Sequence, residues 1–300
     1  MVYTEVITRN GIRYFYRVIS IRKGSKVVKK RIYLGRNLDG RKLKTAEKNA
    51  DAELNILGSI LSENDLKTLS RIKEEYRSMP AESYENRYES FCSMFTYNTN
   101  AIEGNTLTLQ ETAQLLFENI VPSSKSLREI NETLNHKKAF DYILSYRGDI
   151  SKELVLNLHK IVIKDTLKPE LAHLTGCYRD VQVYIRGVEW MPPPPEEVPQ
   201  EMKTLLTWYS INKKKVHPLV VAAYFHSGFE IVHPFVDGNG RVGRLLMNFI
   251  LRKNGYPMIN ILNTRKNHYY NALQESQIKG NLKPLVRFLL EQMQDTKIRF

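Results

Sequence analysis

The spacing of apolar and polar residues changes period once along the chain. Residues 3–8, 13–21 and 26–34 are rich in β-branched and aromatic side chains, Val27, Val28, Ile32 and Tyr33 among them, and read as strands. Asn10-Gly11, a strong hairpin signal, and the turn Lys23-Gly24-Ser25 separate these runs and predict a three-stranded antiparallel meander. From Thr45 onward the period becomes helical. A short amphipathic stretch covers 51–57. The Ser62…Asp65 capping-box spacing opens a helix that runs through Ile72 and Tyr76 to Met79-Pro80. Further helices are predicted at 83–98, 110–120 (behind the Thr108…Glu111 box), 126–146, 151–164, 198–211, 217–230, 239–254, 266–278 and 282–294. No fixed-period repeat is visible. The chain therefore reads as mainly α, with a small β-meander module at 1–45 ahead of a helical body at 46–300.

One segment breaks the helical texture. Within 178–191, Val181, Gln182, Val183, Tyr184 and Ile185 alternate, Arg186-Gly187 turns, and Val188, Glu189 and Trp190 return, which predicts a short hairpin. The Pro192–Pro195 run that follows excludes helix and central strand. A lone hairpin needs something to dock on, and its exposed edge can accept a peptide as an added strand. The richest apolar stretch, 219–225, is seven residues long, whereas a spanning helix needs roughly 20.

Composition changes this picture only in its charge. With 300 residues, 42% hydrophobic and 26% charged, the chain is of ordinary globular make-up, which excludes wholesale disorder and collagen-like architectures. The net charge of +13 is uneven: residues 1–50 hold 14 Lys/Arg against three acids, a net +11, leaving +2 for the remainder. Tyr14, Tyr16 and Tyr33, interleaved with Arg and Lys, suit either a solvated basic face or a nucleic-acid contact that stacks bases and neutralises phosphates. Cys92 and Cys177 can supply neither a disulfide framework nor a four-ligand zinc site, and read as buried thiols of a reducing compartment. The N-terminal residues carry no apolar signal region, so the expected location is cytoplasmic.

The chemistry is concentrated in 233–244, His-Pro-Phe-Val-Asp-Gly-Asn-Gly-Arg-Val-Gly-Arg. Gly238, Asn239 and Gly240 allow backbone N–H groups to converge where a helix begins, a ready anion site. Arg241 and Arg244, at i and i+3, leave one face of the first turns, and two guanidiniums beside such a cradle suit a polyphosphate. Asp237 offers a hard oxygen to Mg²⁺, the usual companion of triphosphates. His233 is the natural general base. Leu245, Leu246, Phe249 and Ile250 anchor the helix. His226, on an apolar helix, reads as a core histidine without the companions of a zinc site, and Trp190 and Trp208 as packing residues. His136, His159, His173, His217 and His268 have no partner identifiable from sequence.

This segment resembles the Fic-domain motif HPFx(D/E)GNGRxxR and matches it at every specified position, with supporting similarity from about 91 to 290. The resemblance implies an all-helical core that moves AMP from ATP to a Ser, Thr or Tyr hydroxyl of a target protein, or of the chain itself, and releases pyrophosphate. It implies that His233 takes the hydroxyl proton and that Asp237 holds Mg²⁺ (or Mn²⁺). Gly238, Asn239 and Gly240 would receive the phosphates, and Arg241 and Arg244 would bind the β- and γ-phosphates. Thr99…Glu103-Gly104 looks like the family's inhibitory motif (S/T)xxxE(G/N), on a helix at about 84–104, which implies that Glu103 competes for Arg244. The 178–191 hairpin resembles the family's flap, which would hold an extended target segment through Val181–Ile185, and Tyr270 stands where an aromatic lies against adenine. Family members also form homodimers. Three alternatives stay open: another phosphate-linked donor such as a phosphocholine compound; removal of AMP, with Glu103 aligning a water; and a nucleic-acid-binding regulator with a nucleotide-sensing core.

Overall fold

The structure, a computed structural model, describes residues 2–9, 11–23, 26–53, 57, 60–185, 187–188, 190–295 and 300. Of the expected features, the turn residues Asn10, Gly24 and Ser25, most of the stretch 54–59, and Arg186 and Glu189 of the flap lie outside the described residues. The chain divides into two compact units, Met1–Glu63 and Asn64–Phe300.

The first unit is the expected meander with one helix. Strands β1 (Val2–Arg9), β2 (Ile12–Lys23) and β3 (Lys26–Arg36) pair antiparallel in chain order. The β2–β3 register slips by one residue beside Phe15, which faces Gly35 while Tyr16 faces Tyr33. Helix α1 (Gly40–Glu53) lies against β2 and β3. It starts ahead of Thr45 because Asp39 Oδ1 accepts the Lys42 N–H (2.8 Å), a cap bond that the basic first turns disguise in the hydrophobic pattern. Arg17 fastens it, donating Nη2–H to Asp51 Oδ2 (2.7 Å) and Nη1–H to Thr4 Oγ1 (2.9 Å). That places Thr4, Arg17 and buried Phe15 on the helix-covered face. Tyr14, Tyr16 and Tyr33 fall on the other.

The second unit is helical: α2 (Glu63–Arg77), α3 (Tyr84–Ile102), α4 (Leu109–Ala113), α5 (Leu127–Ser145), α6 (Lys152–Val162), α7 (Val198–Asn212), α8 (Pro218–Val232), α9 (Asn239–Lys253), α10 (Lys266–Lys279) and α11 (Lys283–Asp295). The antiparallel pair α8–α9 is the centre, touched by α3, α5, α6, α7, α10 and α11. Val220, Ala222, Phe225 and Phe229 of α8 and Leu245 and Leu246 of α9 are fully buried; α8 is apolar nearly all round, whereas α9 also buries Arg241, Arg244 and Asn248. The capping box at Thr108 forms as expected, with Thr108 Oγ1 accepting Glu111 N–H (3.1 Å) and Glu111 Oε2 accepting Thr108 N–H (2.7 Å). The run predicted at 110–120 is α4 continued by a π-helical turn, Gln114–Glu118, ended by Asn119 at φ 58°. Among the described residues no helix is long and apolar enough to cross a membrane.

Two expectations are corrected. The described residues of 178–191 form no strand ladder. Side chains take the carbonyls that a ladder would use: Arg179 Nη1 donates to Val181 O (3.1 Å), and Gln182 Nε2 donates to Val183 O and Pro192 O (both 3.2 Å). Its described residues form an irregular strap, not a paired hairpin. Cys92 is buried, but Cys177 is exposed, because it follows the left-handed turn at Gly176 (φ 75°) that carries the chain to the surface.

Candidate active site

Helix α8 must stop before α9 can begin, and the sequence stops it twice. His233 takes a left-handed conformation (φ 47°, ψ 61°) with its N–H still bonded to Phe229 O (2.9 Å), and Pro234 cannot continue the helix. Gly238 (φ 80°) then caps the N-terminus of α9, in a conformation that side chains other than glycine rarely adopt. Between them, Asn239 closes the loop on itself. Its Oδ1 accepts Phe235 N–H (2.9 Å) and its Nδ2 donates to Phe235 O (2.8 Å). The side chain expected near a phosphate is thus spent on the loop.

His159 supports this loop from α6, a role not visible in sequence. Its ring stacks on Phe235 (3.6 Å between centroids, 4° between planes). Nδ1 accepts Gly176 N–H (3.2 Å), so the proton sits on Nε2, which donates to Asp237 O (3.2 Å). Burial pushes its pKa down to about 3, keeping the ring neutral for both bonds.

Arg241 and Arg244 of α9 are almost fully buried and each is already paired. Arg241 Nη2 donates to Asp237 Oδ1 (3.0 Å) and Nη1 lies 3.3 Å from Glu132 Oε1. Its Nε and Nη1 have no hydrogen-bond partner. Asp237 also accepts from Arg128 Nη2 (2.8 Å). Arg244 donates Nε–H to Thr99 Oγ1 (2.6 Å) and Nη2–H to Thr99 O (3.0 Å) and Glu103 Oε1 (2.6 Å). Burial opposes the charge of Arg244, but the Glu103 carboxylate raises its pKa above the ordinary arginine value. The structure therefore brings Thr99 and Glu103 to Arg244, 141 residues from Glu103 in sequence. α3 runs on to Ile102, past the predicted end at 98, and delivers Glu103 at its C-cap; Gly104 (φ 99°) then turns the chain. Asn105 anchors that turn, its Nδ2 donating to Glu129 O and Glu132 Oε2 (both 3.1 Å).

Gly240 sits beneath the Glu103–Arg244 pair. A Cβ there would stand 2.2 Å from Glu103 Oε1 and 2.9 Å from Arg244 Nη1, so only glycine admits the carboxylate. Tyr270 reaches the same corner, its hydroxyl donating weakly to Ile102 O (3.4 Å) while its ring stays about half exposed. Burial raises its pKa to about 12.

His233 is mostly covered, and burial lowers its pKa to about 4, so the imidazole is neutral and able to take a proton at neutral pH. Glu230 lies beside it, Oε2 3.8 Å from His233 Nδ1 and Oε1 3.9 Å from His226 Nδ1. Burial raises the Glu230 carboxyl to about 8. His226 is in the core as expected, bonded through Nε2 to Tyr269 OH (2.5 Å). The expected flap residues are exposed at Val181 and Tyr184 and tied to the His233 carbonyl through Arg179, whose Nε donates to it (2.9 Å). Among the described residues no group of three or more His, Cys, Asp or Glu is arranged to hold a metal ion. A lone carboxylate, Asp237, about a third exposed, still fits a Mg²⁺ ion that takes its other ligands from substrate phosphates and water.

Residues 149–251 match the model of the Fic/DOC family. Among curated proteins, the protein adenylyltransferase Fic of Nematostella vectensis is 33% identical over 198 residues, 64% of this chain and 45% of that protein. The protein adenylyltransferase Fic of Drosophila yakuba is 36% identical over 199 residues, 65% of this chain and 39% of that protein. The chain thus spans less than half the length of these relatives. Among solved structures, a Fic domain containing signaling protein from Bacteroides thetaiotaomicron superposes with TM-score 0.69 at 27% identity, covering 76% of this chain and 93% of that one. Fic-1 from C. elegans does so with TM-score 0.69 at 25% identity, covering 86% and 76%. Residues 149–251 thus form a region of the Fic/DOC family, set in a helical frame shared with solved Fic proteins.

Proposed function

We propose that the chain transfers AMP from ATP to a hydroxyl of a target protein, and that Glu103 restrains this reaction. The observation that carries the reading is a neutral, buried His233 one loop away from the glycine-lined N-terminus of α9 and its two buried arginines. The names of the curated relatives support it. His233 accepts the proton of the target hydroxyl as its oxygen bonds to the α-phosphorus of ATP. The bond from that phosphorus to the bridging oxygen breaks, and pyrophosphate leaves with the electron pair. The backbone N–H groups opening α9 and the guanidiniums of Arg241 and Arg244 neutralise the phosphates. The unspent Nε and Nη1 donors of Arg241 suit such an added anion. Asp237 would hold Mg²⁺, which screens phosphate charge when bound. The strap 181–185, which joins no strand ladder, would align the target by main-chain bonding through groups other than the Val181 and Val183 carbonyls.

The test uses ATP labelled at the α- or the γ-phosphate on the Glu103→Gly chain, with and without His233→Ala. Protein-bound label is expected from the α-position only, and its loss in the double variant when the melting temperature is retained. Label from the γ-position, or none at all, would remove the reading.

A specific feature favours a second role for the first unit. The sheet face away from α1 carries Tyr14, Tyr16 and Tyr33 as a cluster, with ring centroids 6.3 Å (Tyr14–Tyr33) and 5.3 Å (Tyr16–Tyr33) apart, and Tyr33 is half exposed beside exposed Arg31 and Arg36. We infer that this face binds single-stranded nucleic acid, bases on Tyr33 and phosphates on Arg36, Arg31 being paired with Glu5. Fluorescence anisotropy of a labelled oligonucleotide with the full chain should show binding that weakens steeply from about 50 to 200 mM salt. The Tyr33→Ala/Arg36→Glu variant should bind at least about tenfold more weakly. Absence of binding at the lowest salt would eliminate this role.

A further inference from the structure

Arg179 is 2% exposed, and a buried guanidinium ordinarily faces a carboxylate. Among the described residues Arg179 makes no ion pair, and its partners are carbonyl oxygens alone. Nε donates to His233 O (2.9 Å), Nη1 to Val181 O (3.1 Å) and Nη2 to Pro193 O (2.5 Å). Its own backbone N–H donates to Pro234 O (2.9 Å). Burial lowers its pKa, yet an arginine stays cationic throughout the physiological range.

These oxygens belong to three separate pieces of chain: the loop that bears the general base, the outgoing arm of the strap and its returning arm. One rigid planar group therefore fixes the distance from the strap to His233. It also holds a strained residue. His233 is in the left-handed region immediately before a proline, where both its own side chain and the proline ring oppose the conformation. The bond to its carbonyl helps to keep it there. Arg179 touches none of Asp237, Gly240, Arg241 or Arg244, so the nucleotide end of the site does not depend on it.

We propose that Arg179 is a positioning residue for AMP transfer, setting both the imidazole of His233 and the target-bearing strap so that the two meet. The proposal rests on the transfer reading above. A lysine in its place keeps the charge but offers a point donor where the guanidinium offers a fork, and a misplacement of about 1 Å at the reacting atoms costs about 10²-fold in rate.

Arg179→Lys is compared with its parent in the Glu103→Gly chain by self-labelling from α-labelled ATP, by release of free AMP, by hydrogen exchange, and by binding of the ATP analogue AMPPNP with His233→Ala added to both chains, because its α–β bridge is an ordinary anhydride open to cleavage. Labelling and AMP release should both fall by about 10²-fold, while the Kd of AMPPNP stays within about twofold. Gln182→Ala, which frees the strap at Val183 and Pro192 and leaves the Arg179 bond to the His233 carbonyl in place, should lower labelling and spare AMP release. Exchange should rise by at least about tenfold in 181–193 and 233–235 and stay unchanged in α9. A fall in AMPPNP affinity together with rate, or unchanged rate and exchange, would overturn the proposal. A parent that labels nothing would count against AMP transfer itself, and the exchange pattern would still decide whether Arg179 ties the strap to the loop.

Discussion

Glu103→Gly is expected to raise the rate of the proposed AMP transfer by about 10- to 10²-fold over the unaltered chain. The size follows from the bond removed. A hydrogen bond to a charged group is worth about 1.5–3 kcal/mol, and each 1.4 kcal/mol or so is tenfold in rate. Two features place this bond where it matters. Arg244 is buried and donates to Glu103 Oε1 at 2.6 Å, so a γ-phosphate oxygen has to displace the carboxylate to reach the same N–H. Glu103 also stands at the C-cap of α3, where the helix dipole disfavours a negative charge; its hold is on the arginine and not on the helix. The same substitution strips a buried cation of its partner, so the variant should melt lower without nucleotide and regain stability with saturating ATP. Glu103→Gln, which keeps an acceptor without the charge, should be intermediate. The measurement is the initial rate of α-label incorporation at saturating ATP for the three chains. Equal rates would mean that Glu103 does not restrain the reaction.

The second large effect is acid unfolding above the usual carboxylate range. Burial lowers the pKa of His136, His159 and His226 to about 3 and of His217 and His233 to about 4. In the unfolded chain these rings take up protons near pH 6.5. As the pH falls below that value the unfolded state binds protons that the native state refuses, so stability falls, by up to about 1.4 kcal/mol per group per pH unit. Glu230 works in the opposite direction. Its carboxyl, raised to about 8, holds a proton in the native state where the unfolded chain has lost it, and it gains stability as pH falls from 8 towards the ordinary glutamate value. One group against five leaves a net loss of several kcal/mol per unit, against a typical total of about 5–15 kcal/mol. Far-ultraviolet circular dichroism during acid titration should show cooperative loss of helix between about pH 6 and 4.5. A helical signal that survives to about pH 4 would contradict neutral burial of these rings.

What could be read from the sequence was what the chain places in short compass. His233, Asp237, Arg241 and Arg244 lie within twelve residues, where turn and helix spacing largely fix their relation. Glu103 was readable only through its motif; no spacing rule connects it to an arginine 141 residues away. The groups that escaped notice serve the site through long-range or main-chain bonds. His159 reaches the Asp237 carbonyl, Glu132 faces Arg241, and Arg179 binds four carbonyls that exist at every position and carry no residue signature. The strap misled for a related reason: Val181, Val183 and Ile185 alternate as a strand would, but Arg179 and Gln182 satisfy its carbonyls before a ladder can. Helix α1 began early for a local reason, a cap at Asp39 hidden by Arg41, Lys42 and Lys44.

On the proposed reading, Gly240 would join restraint and substrate in a way that constrains how such a chain can change over generations. The gap left by its missing side chain is the one that Glu103 Oε1 enters, and any side chain there would collide with the carboxylate. On the same reading, a phosphate oxygen approaching the opening turn of α9 would need the same gap. A mutation at Gly240 that expelled the carboxylate would close the door to the nucleotide as well. Escape from restraint is therefore confined to the far side of the pair, to Thr99, Glu103, Gly104 and the turn that Asn105 anchors. Lineages that loosen control should accumulate their changes there, while the glycine stays fixed.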